Sequence, residues 1–191
     1  MARLFFAVQT PSVLVKVLDK LQYKLSEELR SLEPPPHLKP EKLRNSHCTV
    51  RFLGNVEESK IEEMIGAVNS ELSKSSIGTF EVKLGAVGVF SKRQAARVMW
   101  IGLTPEAPLQ HVQHAIDRTL DKCKIPFERE RAFHPHITLF RFREPYRLPE
   151  KFEFPDLSDS SPTVLVSEVM LVESKTFAEG AEYTVRAQFT L

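Results

Sequence analysis

A chain of 191 residues with 42% hydrophobic content can bury one substantial core or two small lobes packed together, which places it among ordinary globular proteins. Its formal net charge of +1 offers no general attraction for a polyanion, so long duplexes are disfavoured as partners and any nucleic-acid contact must be local to a basic cleft. The apolar stretch LFFAV after Arg3 is too short for a signal core or a membrane span and runs into Gln9-Thr10-Pro11; a cytoplasmic protein without membrane contact is expected.

Residues 3 to 9 read as a first strand, and Thr10-Pro11 opens a helix whose apolar positions Leu14, Val17, Leu18, Leu21, Leu25, Leu29 and Leu32 follow helical spacing. Glu33 to Ser46, with its triple proline and the charged stretch KPEKLRN, reads as a loop into a strand over 47 to 53 that Gly54-Asn55 ends. A second amphipathic helix is predicted over 57 to 73. Phe80, Val82 and Leu84 mark a strand, 97 to 103 another, and the basic turn SKRQAA joins them. A third helix is predicted over 106 to 123, followed by a strand beginning at His136. A proline-rich excursion at 145 to 162 precedes two final strands at 163 to 173 and 182 to 190. Cys48 and Cys123 lack CxxC spacing, which argues against a disulfide or a thiolate metal site.

Two of these strands carry the same unusual pattern. HCTV at 47 to 50 returns as HITL at 136 to 139, each a histidine followed two residues later by a threonine within an apolar run. Side chains alternate along a strand, so His47 and Thr49 share one face while Cys48 and Val50 face the core; His136 and Thr138 are set apart from Ile137 and Leu139 in the same way. Histidine and threonine are both tolerated in half-buried strands, and one such strand would mean little. Two with apolar partners at both alternate positions arise by composition roughly once in several hundred chains. Two imidazoles and two hydroxyls in one cleft suit in-line displacement at phosphorus, where one histidine accepts a proton from the attacking oxygen and the other donates one to the leaving oxygen. The paired motifs predict an α+β fold built as a duplicated lobe, with a pseudo-twofold axis and a cleft between the lobes.

The segments HCTVRFLG at 47 to 54, AVGVF at 86 to 90 followed by RVMWIGL, FHPHITLFR at 133 to 141, and ESKTFAEGAEYTV near the end resemble, in order and spacing, the RNA 2′,3′-cyclic phosphodiesterases. These are also called 2′-5′ RNA ligases and belong to the two-histidine phosphoesterase superfamily. The resemblance spans nearly the whole chain. It implies a single bilobal domain over residues 1–191, two pseudo-twofold-related antiparallel sheets flanked by helices, and a central cleft. It further implies His47 and His136 as catalysts, with His136 as base and His47 as acid, Thr49 and Thr138 as phosphate ligands, and no required metal or cofactor. The implied reaction opens a terminal 2′,3′-cyclic phosphate on RNA or a nucleotide to a 2′-phosphate, with 2′-5′ joining as a possible reverse reaction.

Two arginines complete the expected site. Arg51, four residues after His47, should share its strand face and pair with phosphate. Arg141, five residues after His136, would point away from the cleft in an unbroken strand. TLFRF at 138 to 142 holds one residue more than TVRF at 49 to 52, so a bulge at Phe140 would turn Arg141 into the cleft, and the family often carries an arginine at this point. His111 and His114 at helical spacing, or His134 with His136, are metal-compatible patterns, but the helical pair lacks a partnering HExxH glutamate. His37 sits in a proline-rich loop and reads as solvated. One or two of the 13 phenylalanines could stack a terminal base. The expected working unit is a monomer. The alternatives are a noncatalytic module binding RNA ends or nucleotides, and a phosphodiesterase for another cyclic phosphate.

Overall fold

Leucine spacing decides the first helix. Leu14, Leu18, Leu21, Leu25 and Leu29 recur every three or four residues along α1 (Ser12–Arg30), and all five are buried. Each contributes about 1.5–3 kcal/mol relative to an exposed position. The same logic makes α2 (Glu58–Lys74), which buries Ile61, Met64, Val68 and Leu72, and α3 (Ala107–Lys122), which buries Leu109, Val112, Ile116 and Leu120. The computed structural model describes residues 1–129, 132–177 and 180–191.

Among these residues the strands are β1 (Ala2–Gln9), β2 (Leu38–Pro40), β3 (His47–Val56), β4 (Phe80–Lys92), β5 (Ala95–Thr104), β6 (His136–Tyr146), β7 (Val164–Val166), β8 (Glu168–Phe177) and β9 (Gly180–Thr190). They pair antiparallel in the order β7-β4-β5-β6-β3-β1-β8-β9, with β2 on β6. One face of the sheet carries the main core: alternate β1 residues Leu4, Phe6 and Val8 pack in one cluster with the apolar stripes of all three helices. Phe5 and Ala7, on the opposite face, form a small second cluster with Met170 and Val172. The protein is α+β, as the element order implies.

The two halves of the sheet, β7-β4-β5-β6 and β3-β1-β8-β9, each end inward on a motif strand. They meet where Cys48 pairs with Ile137. Beyond that point β6 pairs instead with β2, Lys39 opposite Arg141 and Pro40 opposite Phe140. β2 lies in the stretch read as loop, because three residues ending in a proline carry too little alternation to register as a strand.

Other boundaries differ from expectation for local reasons. The strand predicted over 163 to 173 is two strands: β7 pairs with β4 and β8 with β1, and the chain changes partners at Ser167, whose carbonyl accepts from Leu191 N–H at 2.9 Å. An apolar run shows burial but not a change of partner. Gly54 does not end the first motif strand; at φ 72 it sits within a register shift against Leu4 and Phe5, and β3 continues to Val56. The turn read as SKRQAA shrinks to Arg93-Gln94, both at positive φ (53 and 63), the geometry of a tight two-residue hairpin.

Gly88 on β4 lies opposite Trp100 on β5, and the indole covers it so closely that a Cβ there would be 2.6 Å from the ring. Trp100 in turn packs at 5.9 Å from the His136 ring. Gly88→Ala is therefore expected to displace Trp100 and lower stability by about 1–3 kcal/mol, measured by denaturant unfolding and by the loss of native tryptophan fluorescence.

Candidate active site

Alternation along β3 and β6 aims the four motif side chains. Cys48, Val50, Ile137 and Leu139 are buried in the core, and His47, Thr49, His136 and Thr138 line a cleft of about 400 Å³ on the opposite face. The strands run antiparallel where Cys48 pairs with Ile137, which brings the two motifs side by side at the cleft.

The histidines are held alike. Nδ1 of His47 lies 2.6 Å from the Asn45 carbonyl, and Nδ1 of His136 lies 2.7 Å from the His134 carbonyl, each two residues upstream. A carbonyl only accepts, so Nδ1 carries the proton in both rings and Nε2 is left to exchange a proton with the cleft. Aromatic rings fix the planes: Phe5 and Tyr183 lie 5.0 and 5.3 Å from His47, and Phe90 lies 4.8 Å from His136.

Burial lowers the pKa of both histidines. For His47 this is opposed by the Asn45 hydrogen bond and by the Glu41 charge, and reinforced by Arg141. For His136 the His134 hydrogen bond opposes it, while the charges of His47, Arg141 and His134 add to the lowering. Both imidazoles therefore titrate below their ordinary value. Cys48 is fully buried behind the motif, and burial pushes its thiol up to about 12, which leaves it a packing residue rather than a nucleophile.

The two arginines part company. Opposite β1, Phe6 pairs with Arg51 and Ala7 with Thr49, so Val50 is an extra residue and the first motif strand is bulged. The bulge turns Arg51 to the helix side. There Nε and Nη2 bond the Asp117 carboxylate at 2.7 and 2.5 Å, Nη1 bonds the Glu128 carbonyl at 2.9 Å, and Phe127 lies under the guanidinium at 5.0 Å. The expectation that Arg51 shares the cleft face with His47 is corrected accordingly: it assumed an unbroken strand. In β6 the same shift occurs, with Trp100 opposite Thr138 and Met99 opposite Phe140, leaving Leu139 extra. Leu139 and Phe140 are both buried, and Arg141 lines the cleft. The two motifs are thus in phase, with Phe140 the counterpart of Arg51 and Phe52 the counterpart of Arg141.

Sequence reasoning missed several lining residues, including Arg3, Lys39, Glu41, Phe52 and Tyr183. Lys39 belongs to the unrecognised β2, Glu41 follows it directly, and Phe52 is hidden by the bulge. Arg3 and Phe5 carried a signal, since they alternate with Leu4 and Phe6 on β1. Of the other histidines, His111 and His114 line a shallow groove beside α2, and the His134 ring lies 4.0 Å from Glu106. Among the described residues no three His, Cys, Asp or Glu side chains converge as a metal site.

An α+β sheet opened at its centre, with a histidine and a threonine from each inner strand, defines a pseudo-symmetric two-histidine cleft. Comparison with known families agrees: residues 13–176 match the model of the 2′-5′ RNA ligase superfamily, and the chain belongs to that superfamily. It is 27% identical to an RNA 2′,3′-cyclic phosphodiesterase of Methanothermobacter thermautotrophicus, over 99% of this chain and 98% of the relative. It is 30% identical to one of Methanocaldococcus jannaschii, over 74% of this chain and 72% of the relative. Among solved structures, a protein of Thermus thermophilus superposes with a TM-score of 0.79 at 24% identity, covering 99% of this chain and 97% of the other. E. coli LigT complexed with 3′-AMP gives 0.75 at 26% identity, covering 100% and 98%.

The arginines should separate in experiment. Arg51→Ala is expected to cost about 2 kcal/mol of unfolding free energy, by stranding a partly buried Asp117, while leaving inorganic phosphate affinity unchanged. Arg141→Ala should weaken phosphate binding and leave stability within about 0.5 kcal/mol of the parent. Calorimetric titration with denaturant unfolding reads both.

Proposed function

We propose that this chain opens 2′,3′-cyclic phosphate ends of RNA or nucleotides to 2′-phosphates without a metal or cofactor. The observation that carries the reading is the pair of imidazoles with Nδ1 tied to main-chain carbonyls and Nε2 left for the cleft. The relatives that bear the name RNA 2′,3′-cyclic phosphodiesterase, and the LigT structure with 3′-AMP, support the substrate class.

In this mechanism Nε2 of neutral His136 takes a proton from water as its oxygen attacks phosphorus. Nε2–H of protonated His47 gives its proton to the 3′-oxygen as the bond from phosphorus to that oxygen breaks. The product keeps phosphate on the 2′-oxygen, and proton exchange with solvent resets both rings. Thr49 and Thr138 donate hydroxyl protons to the nonbridging oxygens, where charge grows as phosphorus becomes five-coordinate, and Arg141 adds its positive charge. Run in the same direction with a ribose 5′-hydroxyl in place of water, the same steps would make a 2′-5′ linkage, and their reversal would cleave it.

The chain is read as one bilobal unit over residues 1–191, and a monomer is the working unit of this reading. Among the described residues no helix is long and apolar enough to cross a membrane, and a cytoplasmic setting belongs to the same reading.

His47→Ala and His136→Ala should each lower turnover of a 2′,3′-cyclic phosphate RNA end by at least about a hundredfold, with the double variant only slightly worse because the two act as a unit. The parent's kcat/KM should be bell-shaped, with both limbs set by the lowered histidines, whereas affinity for a 2′-phosphate product should fall mainly on the alkaline side. A rate that stays flat between about pH 5 and pH 9 would sink paired acid-base catalysis and leave a recognition module. Turnover should also survive exhaustive EDTA treatment; abolition with rescue by zinc or manganese would overturn the metal-free mechanism.

A further inference from the structure

The cleft is basic except at one point. Around His47 stand Arg3 from β1, Lys39 from β2, Lys42 from the turn that follows, His136 and Arg141 from β6, and Tyr183 from β9; Glu41 is the one carboxylate among the described lining residues. A negative charge here opposes an incoming phosphate, so its placement calls for a physical reason.

That placement is built into the main chain. Glu41 N–H donates to the Leu139 carbonyl at 2.9 Å, and Gln22 Nε2, reaching up from α1, donates to the carbonyls of Glu41 and Leu139 at 3.1 and 2.9 Å. Leu139 is the bulge residue that turns Arg141 into the cleft. One clamp therefore fixes both partners, and it leaves Glu41 Oε2 3.6 Å from Arg141 Nε. The carboxylate is the inner member, 22% exposed against 55% for the guanidinium, so the arginine is open to an anion arriving from solvent while the glutamate is not.

We propose that Glu41 is a positioning residue, whose carboxylate keeps Arg141 aimed into the empty cleft and fixes the proton-donor role on His47 rather than His136. The proposal rests on the two-histidine reading of the cleft. Fold symmetry makes the imidazoles equivalent, yet the reaction needs one charged and one neutral. Glu41 breaks the tie. Its charge favours protonated His47, working against burial and Arg141, whereas the neighbouring charges at His136, namely His47, Arg141 and His134, all disfavour protonation. When a phosphate enters, Arg141 can exchange the carboxylate for a phosphoryl oxygen without leaving the cleft.

Glu41→Gln preserves the main-chain clamp and removes the charge. In this variant the NMR titration of His47 is expected to move to lower pH while that of His136 moves little. At pH 8, where both imidazoles are neutral, inorganic phosphate should bind about twofold to fivefold tighter, the range set by losing an exposed competing ion pair. The alkaline limb of kcat/KM should shift to lower pH and the acid limb should stay in place. Glu41→Asp, with its carboxylate drawn back, should move His47 in the same direction by less, which serves as the reading should the glutamine variant fold poorly. Unchanged His47 titration together with unchanged phosphate affinity would overturn the proposal, as would a shift of the acid limb alone. The titration requires no turnover, so this failure stays distinct from failure of the cyclic-phosphodiesterase reading, which would show as a parent protein inactive on the cyclic phosphate.

Discussion

The cleft depends on how little β3 and β6 pair. Two strands with apolar backs could zip together along their whole length, and the motif side chains would then lie on a closed, flat sheet. Instead the ladder is limited to the Cys48–Ile137 pair. The edge of β6 beyond it is taken by β2, and the chain from Glu41 to Ser46 lines the space between. Unused strand edges are a liability unless they are paired or covered, and β2 gives β6 a partner while leaving the middle of the sheet open.

Bulges perform the second task. An extra residue after each motif threonine places two consecutive side chains on the core side and returns the next to the cleft. In β3 this commits Arg51 to Asp117 and brings Phe52 round; in β6 it commits Phe140 to the core and brings Arg141 round. The same backbone device thus produces opposite chemistry at matching positions.

These details explain what could be read from the chain beforehand. The helices were legible because leucine spacing along α1 and the stripes of α2 and α3 are long, regular signals. The motif faces were legible because His47, Thr49, His136 and Thr138 precede the irregularities. Periodicity places Arg51 on the wrong face because it assumes an unbroken strand; Arg141 lines the cleft as expected, but the extra residue is Leu139 rather than Phe140, and the bulge occurs in both copies rather than the second alone. Glu41 and Lys39 were out of reach: a three-residue strand held by pairing with a distant segment leaves no local periodicity.

The mismatch between Phe52 and Arg141 has a consequence for how a ligand is oriented. A pseudo-twofold arrangement of imidazoles and hydroxyls looks nearly the same to a phosphate rotated by half a turn, so the matched residues alone cannot tell one end of an asymmetric ester from the other. The unmatched pair can. Phe52, with Arg3 at 5.1 Å from its ring and Phe5 at 6.5 Å, presents an aromatic wall on one side, and Arg141 presents a cation on the other. A ligand seated backwards would exchange the Arg141 guanidinium for a phenyl ring stacked with Arg3, and so would meet a different surface at each of its ends. Handedness in this cleft is therefore carried in part by the two matching positions at which the motifs differ, a phenyl ring in one strand and a guanidinium in the other.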